Sequence, residues 1–226
     1  FENKSLDNLT EYEKIVYRIS KDINYDLLYG EINKLNLNSI IKRLNLKPSE
    51  TQIKKSVDIF KNTKYEKLDS LKKIDEFLKN VSDEMSFLFE YSKNCVSKIA
   101  LAIENEAVVV DLSEVREDAV IEKIKPYFEN EKIRLMGADI KESLVKLNGK
   151  MEFKNIYYDV EIAQYLINSA KSEYSIESLV KEYFDIDLDI DEKKGQVSLF
   201  EDNSDWELLA KRVLSIRPLY EKTYEI

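Results

Sequence analysis

The sequence predicts an α/β fold: a mixed sheet of about five strands with flanking helices, preceded by a small helical segment. Two observations carry this. Three short apolar runs follow one another, Met85–Tyr91, Val96–Glu104 and Ala107–Leu112, rich in β-branched or aromatic residues and separated at Asn94 and Asn105-Glu106. That is the pattern of three consecutive antiparallel strands. A helical stretch, Glu114–Lys132, then leads into one more apolar strand, Ile133–Gly137, and helical patterns run to the end.

The elements before the sheet read as helix and linker. In residues 1–45, Leu6, Leu9, Ile15, Val16 and Ile19 recur at three- and four-residue steps, as one face of a helix requires. Leu35, Leu37, Ile40, Ile41 and Leu44 form a second stripe, closed by Lys42-Arg43 and stopped by Pro48. Residues 46–83 are a linker, polar at first, with sparse apolar residues and one weak helix. The domain boundary belongs there, and 84–226 forms the second domain. No internal repeat is present.

Composition bounds the chemistry. Hydrophobic residues make up 43% of the 226, enough for a packed core, and four glycines and three prolines leave room for long elements. The net charge of −9 argues against a freestanding nucleic-acid binder, which draws affinity from neutralising phosphates. There is no histidine. Histidine general acid–base catalysis and histidine metal ligands are therefore excluded, and any hydrolysis would rest on carboxylates and metal ions. The single cysteine, Cys95, read as a small buried hydrophobe in a strand, permits no internal disulfide and suits a reducing cytoplasm. No apolar run reaches the roughly 18 residues of a membrane span. The start, Phe1-Glu2-Asn3-Lys4, has no signal-peptide pattern and reads as an internal cut from a longer protein.

The segment from Ile133 to Ala170 carries a family resemblance. Gly137-Ala138-Asp139-Ile140-Lys141-Glu142-Ser143 opens a helix, Tyr157-Tyr158-Asp159 opens another that carries Ala163-Gln164-Tyr165-Leu166, and Tyr174-Ser175-Ile176-Glu177-Ser178-Leu179 begins a third. These segments resemble the 3′–5′ exonuclease domain of bacterial DNA polymerase I, the family A polymerase. That family writes them as G-x-N-x-K-aromatic-D, then F-D followed by A-x-Y-L, then an S-L-x-x-L helix. The strand order, three hairpin strands, a helix, a strand and helices, is that of its ribonuclease H-like fold. The resemblance is clearest over 84–226. A weaker one links the string Ile32 to Leu44 with the last helix of the family's 5′-nuclease domain.

The resemblance implies a two-metal site in which four carboxylates hold two Mg²⁺ ions about 3.5–4 Å apart. Carried over residue by residue, Phe87-Leu88-Phe89-Glu90 matches F-D-x-E, so Leu88 stands on the first Asp and Glu90 keeps the Glu. Ser143 stands on the second Asp. Anchoring on Leu219-Tyr220-Glu221-Lys222 puts Arg212 on the last Asp and Leu208 on the Tyr before it. Only Glu90 survives. The local charge falls from about four negatives to about zero, and each lost carboxylate–metal contact forfeits roughly 4 kcal/mol of gross attraction at ~4 Å and an effective dielectric near 20. Leu88, Glu90, Ser143, Leu208 and Arg212 are therefore expected to be vestigial positions, with no catalytic residue and no metal in this fragment. Asp159 also matches the family, but its place at the head of a helix points to an N-cap.

The resemblance thus implies a non-catalytic structural domain of a DNA polymerase I that performs DNA-directed DNA synthesis in replication and repair. Mg²⁺ is expected for the parent polymerase domain and no cofactor for this fragment. The partners implied are the polymerase and 5′-nuclease domains of the same polypeptide, and DNA only through the parent. Two rivals stand beside it: an active exonuclease with rearranged carboxylates, and a standalone ribonuclease H-like adaptor. The run Asp185–Asp191 resembles a calcium loop but has Ile190 and Gln196 where the loop needs Gly and Glu. It reads as an extended segment with one apolar face. The pairs Lys54-Lys55, Lys72-Lys73 and Lys193-Lys194 read as solvated, and Trp206 as an anchor for the last helix.

Overall fold

The computed structural model describes residues 24–34, 58–93, 95–188 and 204–224, with isolated positions 40, 43, 44 and 46. The chain divides into two compact units, Phe1–Ser56 and Val57–Ile226. In the first, α1 spans Tyr25–Lys34, capped by the Asn24 side chain, whose Oδ1 accepts from the Leu27 amide at 3.1 Å. The expected stripes over 6–19 and 35–44 lie almost wholly outside the described residues, as do Lys54-Lys55, Lys193-Lys194 and the end of the aspartate run.

The second unit is a three-layer α/β/α domain. Its strands are β1 (Lys64–Leu68), β2 (Glu84–Ser92), β3 (Cys95–Ile103), β4 (Glu106–Asp111), β5 (Arg134–Gly137) and β6 (Ile156–Asp159). They lie in the order β1-β4-β3-β2-β5-β6. The meander β2-β3-β4 is antiparallel as expected. The other three strands pair in parallel: β1 with β4, β5 with β2, β6 with β5.

Alternation along the strands builds two cores. From β2, Met85 and Phe87 face one side, where they meet Ile74, Phe77 and Leu78 of α2 (Leu71–Leu78), Val120, Ile124 and Phe128 of α3 (Glu117–Phe128), and Ile140 of α4 (Ile140–Lys146). Phe87, Phe89, Phe128 and Phe153 form an aromatic knot there, with Phe87 and Phe128 centroids 5.0 Å apart in an edge-on arrangement. The opposite face presents Leu88 beside Ala100, Ala102 and Ala107. These small residues let the long helix α7 (Ser204–Tyr224) lie close across the sheet, burying Leu209, Ala210, Val213, Leu214, Ile216 and Leu219. Two shorter helices, α5 (Val160–Ile167) and α6 (Ile176–Phe184), share that layer.

The expected mixed sheet with flanking helices is present, with six strands among the described residues. Two expectations need correction. Part of the expected linker belongs to the domain, because β1 joins the sheet and α2 buries Ile74, Phe77 and Leu78. The strand was hidden because it is an edge, with exposed Lys64 and Glu66 alternating with half-buried Tyr65 and Lys67, and edges carry charge. Cys95 is exposed rather than buried, since it starts β3 next to the hairpin turn. Trp206 does anchor the last helix, edge-on to Tyr65 of β1 at 5.9 Å.

Gly137 ends β5 where the chain passes closest to the aromatic knot. A Cβ there would stand 3.0 Å from both Phe87 Cζ and Ile140 Cγ1. Gly137→Ala is therefore expected to destabilise by about 1–2 kcal/mol through overpacking, which chemical denaturation would measure.

Candidate functional site

The second half of β2 places the site. Leu88 and Glu90 share the face covered by α7, and Phe87 and Phe89 the other. Leu88 is buried in the apolar layer beneath α7, and Leu208 packs half-buried against the same layer. Glu90 lies farther along β2, where side chains from β3, α6 and α7 converge.

There Glu90 bridges two cations. Its Oε1 lies 3.7 Å from Nη1 of Arg212, and its Oε2 accepts from Lys98 Nζ at 3.1 Å. Each cation has a second carboxylate: Arg212 Nε donates to Glu177, and Lys98 donates to Asp205. The result is an ion chain, Asp205–Lys98–Glu90–Arg212–Glu177, that links the two hairpin strands to both helices. Burial works against the Lys98 ammonium, but Asp205 and Glu90 outweigh it and hold its pKa above the ordinary lysine value. The expected proximity of Glu90 and Arg212 is present. Lys98, Glu177 and Asp205 were missed. Lys98 sits directly opposite Glu90 in the β2–β3 ladder, so the hairpin register would have revealed it. Glu177 and Asp205 are first-turn acids of their helices, a common position with no signal of its own.

Ser143 lies on the neighbouring helix α4 and is buried. Its Oγ accepts from the Tyr91 hydroxyl at 3.0 Å, and Lys146 stands over the Tyr91 ring at 4.3 Å. The β2–β3 register shifts between Glu90 and Tyr91. Burial pushes the Tyr91 phenol up to about 12, and the Tyr158 phenol, which meets Thr223, likewise. Both pKa values are raised, so the folded state holds these protons more tightly than the unfolded chain. Stability is then untouched below the ordinary tyrosine value near 10 and falls as pH rises toward about 12. An absorbance titration should show the Tyr91 and Tyr158 phenols among those that ionise late, together with unfolding. Tyr91→Phe should remove one of them.

Asp159 is a structural cap. Its Oδ1 accepts from the amides of Glu161 and Ile162 at 3.0 and 3.2 Å, and its Oδ2 from the amide of Ile140 at 2.9 Å. Both oxygens are thus committed to the starts of α4 and α5. Nearby Asp139 starts α4 in the left-handed region, φ 47°, which Asp tolerates better than most residues. Burial, then the Glu142 carboxyl beside it, raises its pKa. Ile186 and Leu188 of the aspartate run pack on the α7 side, as the one-apolar-face reading expects.

The residues at the matched positions do not fit a two-metal centre. Leu88 offers no oxygen, the Ser143 hydroxyl is taken by Tyr91, and Arg212 brings a positive charge. Among the described residues, no group of three or more acidic or cysteine side chains is arranged to hold a metal ion. None of the described helices is long and apolar enough to cross a membrane.

Comparison with known proteins agrees with this architecture. The family model "DNA polymerase I, ribonuclease H-like domain" matches residues 85–197, half the chain. No curated protein matches. Among solved structures, Trypanosoma brucei RNase D, in complex with RNA U12, superposes with a TM-score of 0.56 at 12% identity, over 72% of this chain and 63% of that one. Brucella melitensis NrnC gives 0.53 at 13%, over 72% and 79%. Escherichia coli RNase D, an exoribonuclease involved in structured RNA processing, gives 0.53 at 13%, over 71% and 44%. At these identities the likeness is one of fold. The chain spans less than two thirds of both RNase D chains.

Proposed function

The chain belongs to the DNA polymerase I ribonuclease H-like domain family, and from that premise we propose that it is a non-catalytic member, a structural domain of a DNA polymerase I. In this reading the parent carries out DNA-directed DNA synthesis in replication and repair in the cytoplasm, with Mg²⁺ serving its polymerase domain. DNA is reached through the parent. This domain packs with the polymerase and 5′-nuclease domains of the same polypeptide.

The observation that carries the reading is the ion chain around Glu90. A two-metal nuclease holds its last helix to the sheet through carboxylates that share cations. Here two side-chain cations, Lys98 and Arg212, occupy the two sides of Glu90, and Glu177 and Asp205 close the ends. The arrangement keeps the mechanical link between α7 and β2 and carries no nucleophile-activating ion. A second reading, an exonuclease with rearranged carboxylates, draws on Glu177 and Asp205 standing near Glu90. Each of these acids is already engaged with a cation, which disfavours metal entry.

The test is direct. End-labelled single-stranded DNA is incubated with the purified chain in Mg²⁺ and in Mn²⁺. No shortening from the 3′ end is expected. Time-dependent shortening that disappears in Glu90→Ala would replace this reading with the second one.

A further inference from the structure

The short helix α5 has an apolar surface on the side that should be polar. Its sequence, Val160-Glu161-Ile162-Ala163-Gln164-Tyr165-Leu166-Ile167, is apolar at six of eight positions. Val160 and Gln164 face inward and are buried. Outward, Ile162 is 58%, Tyr165 56% and Leu166 77% exposed. A helix that is hydrophobic all round is normally covered on all sides. Here Ile162 and Leu166, four residues apart, and Tyr165 between them form one ridge, of the kind that seats in the groove of a second helix.

The start of the ridge is acidic. Glu161 precedes Ile162, and Asp139 and Asp159 lie near enough for their charges to raise the Glu161 pKa, after the larger effect of lost hydration. Asp159 is fully engaged with backbone amides. Among the described residues, neither Glu161 nor Asp139 forms an ion pair with a lysine or arginine. At the other end, Lys171 is committed to Glu182. The surface thus offers apolar side chains and uncompensated negative charge side by side. Phosphates would be repelled by it, whereas a cationic side chain would relieve the crowding of carboxylates.

We propose that the outward face of α5 is a docking surface for a partner protein that presents an amphipathic helix, its apolar stripe on Ile162, Tyr165 and Leu166 and a lysine or arginine beside Glu161 and Asp139. The helix is about 12 Å long at 1.5 Å per residue. Its apolar stripe is far smaller than the roughly 800 Å² per partner of a stable interface. The contact is therefore weak alone and works as one part of a larger assembly.

The probe is a helical peptide built only of leucine and lysine in an amphipathic pattern. Its controls are the same pattern in leucine and glutamate, a scrambled leucine–lysine peptide, and oligothymidine. Binding is followed by NMR on the isotope-labelled chain. The expected result is that the leucine–lysine peptide moves the amide signals of residues 160–167 and of Asp139. Ile162→Ser with Leu166→Ser should weaken binding ~10-fold or more, since two exposed side chains lose their burial. Glu161→Gln should weaken it ~3-fold and flatten its salt dependence. These side chains point outward, so the variants should keep the parent's circular dichroism. The proposal is overturned if the double variant binds as tightly as the parent, or if the acidic or scrambled peptide binds equally well. It is also overturned if oligothymidine moves the same signals, which would mark a nucleic-acid surface, or if the chain self-associates through α5 in a way the double variant abolishes, which would make a second copy the occupant.

Discussion

Asp159→Ala should lower the unfolding free energy by about 3 kcal/mol. One carboxylate, 9% exposed, receives three backbone amides. Two of them, Glu161 and Ile162, are in the first turn of α5, and losing such a cap alone costs about 0.5–2 kcal/mol. The third, Ile140, starts α4 on the other face of the sheet and is itself buried. Its amide would be left without an acceptor, which costs about 1–3 kcal/mol. Asp159→Asn keeps one acceptor oxygen, which can serve α5 or α4 but not both, and should lose about half as much. Urea denaturation of the three proteins measures this. A loss below about 1 kcal/mol in Asp159→Ala would mean that water replaces the carboxylate at these amides, and the cap assignment would fall.

Arg212→Asp should destabilise by about 2 kcal/mol, and Arg212→Ala by about 1 kcal/mol. The aspartate would face Glu90 and Glu177 and leave Lys98 as the remaining cation of the Asp205–Lys98–Glu90–Arg212–Glu177 ion chain. The Arg212, Glu90 and Glu177 side chains are between 23% and 32% exposed. Solvent therefore screens the repulsion, and these figures sit well below those for a fully buried pair. Added salt should shrink the difference between Arg212→Asp and Arg212→Ala. Leu88→Asp combined with Arg212→Asp returns three of the four carboxylates of the family pattern. Millimolar Mn²⁺ should raise the melting temperature of that double variant and leave the natural chain unchanged. No metal-dependent shift in the double variant would show that Leu88 and Arg212 are not the positions that decide metal binding.

The meander was legible because β2, β3 and β4 are buried on one or both faces and write period-two or continuous apolar runs. β6 was read as the opening of a helix. Ile156-Tyr157-Tyr158-Asp159 is too short to show a period, and its helical successor starts without a break because Asp159 ends the strand and caps the helix at once. β1 was hidden by the charge that an edge demands. At the site, Glu90 and Arg212 followed from family spacing, because strand and helix positions recur when a fold recurs. The two acids that close the ion chain belong to no motif. Glu177 and Asp205 take part only because α6 and α7 start near the end of β2, and that is a property of packing. Lys98 is intermediate. It is one position in an apolar strand, and only the pairing register assigns it to Glu90.

The strand order also sets an order of events in folding. Among the described residues β1 is the earliest strand, yet its partner is β4, which becomes a stable edge only once the meander has assembled. Adjacent hairpins close quickly, and parallel pairings across long stretches close slowly. β1 therefore spends the early stage of folding as an open ribbon with Tyr65 and Leu68 uncovered. Lys64, Glu66 and Lys67, three charges in five residues, guard that ribbon during the wait, since a strand so charged pairs poorly with a copy of itself. Neutralising them would leave the finished domain nearly as stable and make its refolding at high concentration prone to aggregation.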